Sequence, residues 1–174
     1  MQNTALHVIL CLTLTGCAVG FTEAPANEDH ATVVFEKAYQ TGDTSGNLVQ
    51  GYIIYEDGNC NKIRNAANFT SLNGDSKTHR VSTSQPLVFI SAINEKRRVS
   101  YEEGVAETCA YKAEFQPKNG KTYRIRNSGI GADCKLEVTD FETGTTIPDL
   151  KVEGAFTSDS PKAKKNYFGY PCDL

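Results

Sequence analysis

From residue 31 onward, apolar and polar positions alternate along most of the chain with a period of two, and a sustained period of 3.6 occurs nowhere. Residues 31–37 are rich in β-branched side chains and bounded by polar segments, which predicts a strand, because such side chains suit a pleated, half-buried surface. Residues 52–55 repeat the signature ahead of a turn at 56–59, and residues 41–47 between them have loop composition. Residues 87–93 form a nearly continuous apolar run behind Pro86, the pattern of a strand buried on both faces at the centre of the core. In residues 109–115, Cys109, Tyr111, Ala113 and Phe115 share one face while Lys112 and Glu114 share the other.

Pro117 to Gly120 supplies a turn, after which Tyr123 and Ile125 point inward and Thr122, Arg124 and Arg126 outward, so the two segments are expected to pair as a hairpin. Beyond a loop holding Gly129 and Gly131, Cys134, Leu136 and Val138 line another apolar face. Residues 147–152 suggest a short edge strand interrupted by Pro148, and a single helical turn over 101–107 is the most helix the pattern allows. The expected fold is all-β: an antiparallel β-sandwich of immunoglobulin-like or transthyretin-like type spanning residues 31–152, with two disulfides. The remaining tail, 153–174, is polar and basic and then aromatic. It is expected to be pinned back on the sandwich through its rings and Cys172.

The first segment has a different character. Residues 5–14 form an apolar run of about ten, suited to the h-region of a signal peptide and well short of the ~20 needed to span a bilayer. The run closes on Leu14-Thr15-Gly16-Cys17, which resembles a bacterial lipobox, although no Lys or Arg precedes it. The resemblance implies cleavage after Gly16 and lipid, including palmitate, on Cys17. Several acyl chains on one residue make attachment stable, each buried CH₂ contributing ~0.8 kcal/mol. Ala18 is not the Asp of inner-membrane retention, so the implied address is the bacterial envelope: an outer-membrane lipoprotein facing the periplasm or the cell surface. Residues 17–30 then read as a lipid-anchored flexible tether.

The formal net charge of −3 favours neither nucleic acid nor anionic lipid as a partner, and the basic runs Lys96-Arg97-Arg98 and Lys162-Ala163-Lys164-Lys165 read as local, solvated patches. Of six cysteines, Cys11 belongs to the signal and Cys17 to the lipid, which leaves Cys60, Cys109, Cys134 and Cys172. An even number in an oxidising compartment predicts two disulfides. Three connectivities are open; the preferred one joins Cys60 to Cys109 and Cys134 to Cys172. Zinc is excluded by spacing, since no Cys-x-x-Cys pair exists.

Candidate chemistry is sparse. Beyond His7, the histidines are His30, in the tether, and His79, in a polar loop where it could join Ser82 only by accident of composition. Glu102 and Glu103 point to opposite faces if extended, Asp140 with Glu142 reads as a solvated turn, and Gly129-x-Gly131 precedes no helix that would make it a phosphate cradle. Asn68-Phe69-Thr70 is a chance glycosylation sequon in an envelope context. Tyr167 and Tyr170 beside Lys164 and Lys165 are the candidate contact surface for an envelope protein or glycan partner. No catalytic residue, metal or cofactor is assigned.

The arrangement of Tyr55-Glu-Asp-Gly-Asn-Cys60, Cys109, the segment Phe115-Gln-Pro-Lys-Asn-Gly-Lys-Thr-Tyr123 and Cys134-Lys-Leu-Glu-Val138 resembles small bacterial envelope lipoproteins of unassigned function. That resemblance implies a Cys-containing β domain and carries over no active-site residues. The expected role is non-enzymatic binding or assembly at the envelope. The alternatives are a periplasmic inhibitor of a lytic enzyme, which lacks here the Ser-x-Ser-Gly-x-x-Tyr segment of such inhibitors, and a carboxylate-dependent hydrolase of envelope polymers.

Overall fold

The computed structural model describes residues 21–38, 47–55, 63–69, 74–98, 104–129 and 133–156. Within them lie strands β1 (His30–Glu36), β2 (Asn47–Tyr55), β3 (Ile63–Phe69), β4 (Ser76–Ser82), β5 (Leu87–Arg98), β6 (Gly104–Phe115), β7 (Thr122–Ser128), β8 (Lys135–Asp140) and β9 (Lys151–Phe156). They form two sheets, in the orders β4-β1-β7-β8 and β3-β2-β5-β6-β9. The architecture is the expected all-β sandwich. Its pairs are antiparallel except β1 with β7, which run parallel, Thr32 opposite Thr122 through Glu36 opposite Arg126.

Alternation explains the core. Ala31, Val33 and Phe35 of β1 face inward and are fully buried, as are Ile125 of β7 and Val138 of β8. Opposite them stand Tyr52 and Ile54 of β2, Phe89 of β5 and Phe115 of β6. The Phe35 ring lies 4.8 Å from Tyr52 and 6.3 Å from Phe89. Burying each such ring contributes roughly 1.5–3 kcal/mol. Leu87, Val88, Phe89 and Ile90 are all at most 5% exposed, as the unbroken apolar run of β5 predicts.

Several expectations are corrected. The segments 109–115 and 121–126 are not a hairpin: β6 pairs with β5 and β9, β7 with β1 and β8. The intervening turn arches over the end of the sandwich, so Phe115 and Tyr123 meet edge to face across the core at 4.9 Å. The arch is held where a hairpin ladder would have been: Gln116 donates from its backbone N–H to Asp149 and from its side chain to the Thr83 carbonyl, and the Lys118 N–H donates to the Tyr123 hydroxyl at 2.9 Å. Residues 104–107 belong to β6, not to a helical turn, because the β5 ladder extends to Arg98 opposite Gly104. The domain continues past residue 152, since β9 runs to Phe156 as an edge strand on β6.

β3 and β4 carry no alternating apolar signal, and the sequence places no strand there. Both are sheet-edge strands with few large apolar side chains facing inward: Phe69 at the end of β3, 6.1 Å from the Tyr52 ring, after Ala66 and Ala67, and Val81 beside His79 in β4. Polar edges suppress pairing with other chains.

One part of the interior is polar. The Gln50 side chain is fully buried, and its Nε2 lies 2.7 Å from the Tyr52 hydroxyl, 3.1 Å from the Asn127 carbonyl and 3.2 Å from the Glu36 carbonyl. Gln50 Oε1 accepts from the Ala38 N–H at 2.9 Å. The Tyr52 hydroxyl donates to the Glu36 carbonyl at 2.8 Å and accepts from the Asn127 N–H at 3.1 Å. Thus two side chains of β2 satisfy backbone groups of β1 and β7 in the other sheet.

Replacing Tyr52 by Phe keeps the ring and leaves the buried Asn127 N–H without its acceptor, so urea unfolding should show a loss of about 1–3 kcal/mol. Burial holds the Tyr52 phenol neutral well above the ordinary tyrosine range. The unfolded phenol ionises near pH 10, so its contribution is complete below that pH and is lost as pH rises beyond it. Above pH 10 the parent protein should therefore lose stability more steeply than Tyr52→Phe; equal slopes would contradict the assignment.

Candidate functional site

Each layer of a two-sheet sandwich ends in two lateral seams, and here the two are closed by different chemistry. At the first, β3 and β4 are the neighbouring edges. Residues 21–25 cross it as a strap. Phe21 donates its N–H to the Asn65 carbonyl of β3 at 3.3 Å, and Ala24 donates to the Arg80 carbonyl of β4 at 3.0 Å. Arg80 Nε returns a hydrogen bond to the Ala24 carbonyl at 3.1 Å, and its guanidinium pairs with Glu23 at 3.1 Å. Ala24 is buried and Phe21 half-buried. The tether expected over residues 17–30 is therefore corrected from Phe21 onward: this stretch is docked, and at His30 it enters β1.

His79 is the hub of this seam. Its Nε2 donates to the Ala66 carbonyl at 2.6 Å, and its Nδ1 faces Glu23 Oε1 at 3.3 Å. The Ala66 carbonyl is free for it because β3 shifts register against β2 there: Ala67 lies opposite Tyr52 and Asn65 opposite Ile53. The Phe21 ring packs edge-on against the imidazole at 5.2 Å. His79 thus lies in a strand rather than a polar loop and is tied to both sheets and the strap. Ser82 is not its partner; its hydroxyl is 2.8 Å from that of Ser84.

Between the strap and the sandwich opens a cleft of ≈ 280 Å³. Its floor is Ile54, Tyr55, Val81 and Leu87, all at most 5% exposed. Glu23 and Glu28 reach its rim. Both Glu23 oxygens are engaged, Oε1 by His79 and Oε2 by Arg80, whereas Glu28 is exposed. A second cleft of ≈ 130 Å³ lies at the opposite side of the arch, beside Lys121, Tyr123, Asp140 and Asp149. There the Thr143 backbone N–H, followed by Lys121, holds the Asp140 carboxyl below the usual range, and Asp140 in turn raises Lys121. These groups form a hydrogen-bonded turn: Asp140 Oδ1 accepts from the N–H groups of Glu142 and Thr143 at 3.0 Å each.

The second seam is covalent. Cys109 of β6 is bonded to Cys134 at the start of β8, Cα to Cα 5.5 Å. This overturns the preferred pairing of Cys60 with Cys109 and Cys134 with Cys172. Cys109 is fully buried at an inward position of β6, against Asn127 of β7 in the other sheet, which brings it within reach of Cys134 just before β8. Tyr111 donates its hydroxyl to the Cys134 carbonyl at 2.6 Å, and burial raises its phenol. Asn127 Nδ2 donates to the Cys109 carbonyl at 3.3 Å, with its Oδ1 in contact with the sulfur. The connection into Cys134 turns at Gly129, φ +78°, where a Cβ would lie 1.9 Å from the Asp133 carbonyl oxygen.

The other residues singled out by sequence are dispersed. His30 is bonded through Nδ1 to the Glu28 carbonyl, and Asn68 is exposed on β3. Cys17, Cys60, Cys172, Glu102, Glu103, Lys164, Lys165, Tyr167 and Tyr170 lie outside the described residues. Among the described residues, no three or more His, Cys, Asp or Glu side chains converge as a metal site would require. No protein-family model matches the chain, and no curated protein matches it.

The disulfide spans a sequence separation of 25, for which loop-closure entropy gives about 3–4 kcal/mol. The double variant Cys109→Ala/Cys134→Ala should lose about that much in denaturant unfolding. Non-reducing peptide mapping of the parent should recover Cys109 joined to Cys134; recovery of Cys109 on Cys60 would refute the seam.

Proposed function

We propose that this chain is a lipid-anchored protein of the bacterial cell envelope, with a non-enzymatic binding or assembly role exercised by its β-sandwich. The observation that carries the proposal is Leu14-Thr15-Gly16-Cys17 at the end of an uncharged apolar run. An exported, oxidising location agrees with a disulfide at the second seam, since such bonds persist there and are rare in reducing compartments. The cleft beneath the strap supports binding: a concave surface with an apolar floor and a polar rim is the usual form of a recognition site. At ≈ 280 Å³ it is large enough to take an apolar anchor side chain of a partner protein. The contacts of Glu23 with Arg80 and His79 favour a structural rim over a reacting carboxylate pair.

Acylation is tested directly in a bacterial host. The parent chain should fractionate with membranes, carry diacylglycerol on an N-terminal Cys17 by intact mass, and accumulate unprocessed under globomycin. Cys17→Ala should leave the membrane fraction. Unchanged processing and fractionation of that variant would remove the basis of the proposal.

A further inference from the structure

The docking of Phe21 has a geometric consequence for an acylated Cys17. Only Ala18, Val19 and Gly20 separate the two residues. Four residue steps cannot exceed about 14 Å even when fully extended, at up to ~3.6 Å each. Phe21 is fixed on β3 through the Asn65 carbonyl, and Ala24 on β4 through Arg80. The point of suspension is therefore a lateral edge of the sandwich and not a free tether beyond it. In the five-stranded sheet, β9 lies four inter-strand steps from β3, about 19 Å at ~4.8 Å per step.

Resting on the acylation of Cys17 proposed above, we infer that the protein is apposed to its membrane: the β3–β4 seam, with its strap, faces the lipid headgroups, and the disulfide seam with β9 faces away. The partner at the first seam is the bilayer surface itself. Charge at the strap does not select anionic lipid, because Arg80 and His79 are both engaged by Glu23. Apposition comes from the short leash and does not require adhesion. The cleft beneath the strap then opens within a leash length of the headgroups, where an anchor residue of another membrane-bound protein would meet it, and the opposite edge is the part displayed to soluble partners.

The chain has no Trp, so single-Trp reporters are free of background. Thr78 on β4 and Val152 on β9 are exposed. Thr78→Trp and Val152→Trp, each in the full-length acylated protein, are reconstituted in phosphatidylcholine vesicles containing headgroup spin-labelled lipid. Emission should be lost at position 78 and retained at 152. A Gly/Ser insertion between Gly20 and Phe21, long enough to exceed the quenching range, should restore emission at 78. A second pair, Ser76→Trp against Lys135→Trp, repeats the comparison should either first variant fail to fold. Acylated protein quenched equally at both edges, or more strongly at β9, overturns the orientation alone. A mature N-terminus without lipid overturns the orientation together with the anchor.

Discussion

The structure depends on finding partners for the polar atoms buried between its sheets. Gln50, Tyr52 and Asn127 are fully buried, and hydrogen bonds to charged or neutral partners in a dry interior are costly to leave unmade. Their partners are backbone groups at fixed positions: the Glu36 carbonyl and Ala38 N–H at the end of β1, and the N–H and carbonyl of Asn127 in β7. A slip of β2 by two residues would keep apolar side chains inside, yet it would strand both Gln50 and Tyr52. The network therefore sets how one sheet sits over the other, a specificity that Val, Ile and Phe contacts alone supply poorly.

From this centre, contacts run outward to both seams. Asn127 carries them to the disulfide, through its amide on the Cys109 carbonyl. Phe35 carries them the other way, packed on Tyr52 at 4.8 Å and lying 6.2 Å from the His79 ring, which holds Glu23 of the strap. The disulfide edge is closed covalently and gains from reducing the freedom of the unfolded chain. The strap edge is closed by hydrogen bonds, one ring contact and partly exposed ion pairs, each worth at most about 1 kcal/mol when solvent reaches it. An opening of the sandwich would begin at the strap, which is also where the cleft lies.

What the sequence made legible follows the same division. Strands with inward Phe, Tyr, Ile and Val are readable: β6, β7 and β8 by a period of two, β1 and β2 by β-branched and aromatic runs, and β5 by its unbroken apolar run. β3 and β4 are not, since each edge strand has one large apolar residue in the core, Phe69 and Val81, with Ala66, Ala67 and His79 filling the other inward positions, too few to show an alternation. The turn residues and flanking alternation after Phe115 suit a hairpin and an arch alike. What separates the two is Gln116 bonding to Thr83 and Asp149, contacts that span 33 residues each. The strap left almost no signal, one Phe and one Ala in a polar stretch, and the cleft it creates was accordingly invisible.

The outer faces of the two sheets carry compensated charge, unlike the strap seam. On the five-stranded sheet, Lys112 pairs with Glu153 and Lys151 with Glu114 across β6 and β9, beside a closed apolar cluster of Tyr55, Val88 and Ile90. On the four-stranded sheet, Arg124 pairs with Glu36 and stacks over Phe141 at 4.7 Å, and Lys135 pairs with Glu137. Pairs of this kind add little stability, and they neutralise one another's charge. A partner docking there would have to displace compensated charges for small gain. At the strap seam it meets a concave apolar floor beside a Glu23 carboxylate that Arg80 and His79 already engage, so an inserted apolar side chain gains more for less desolvation of that group.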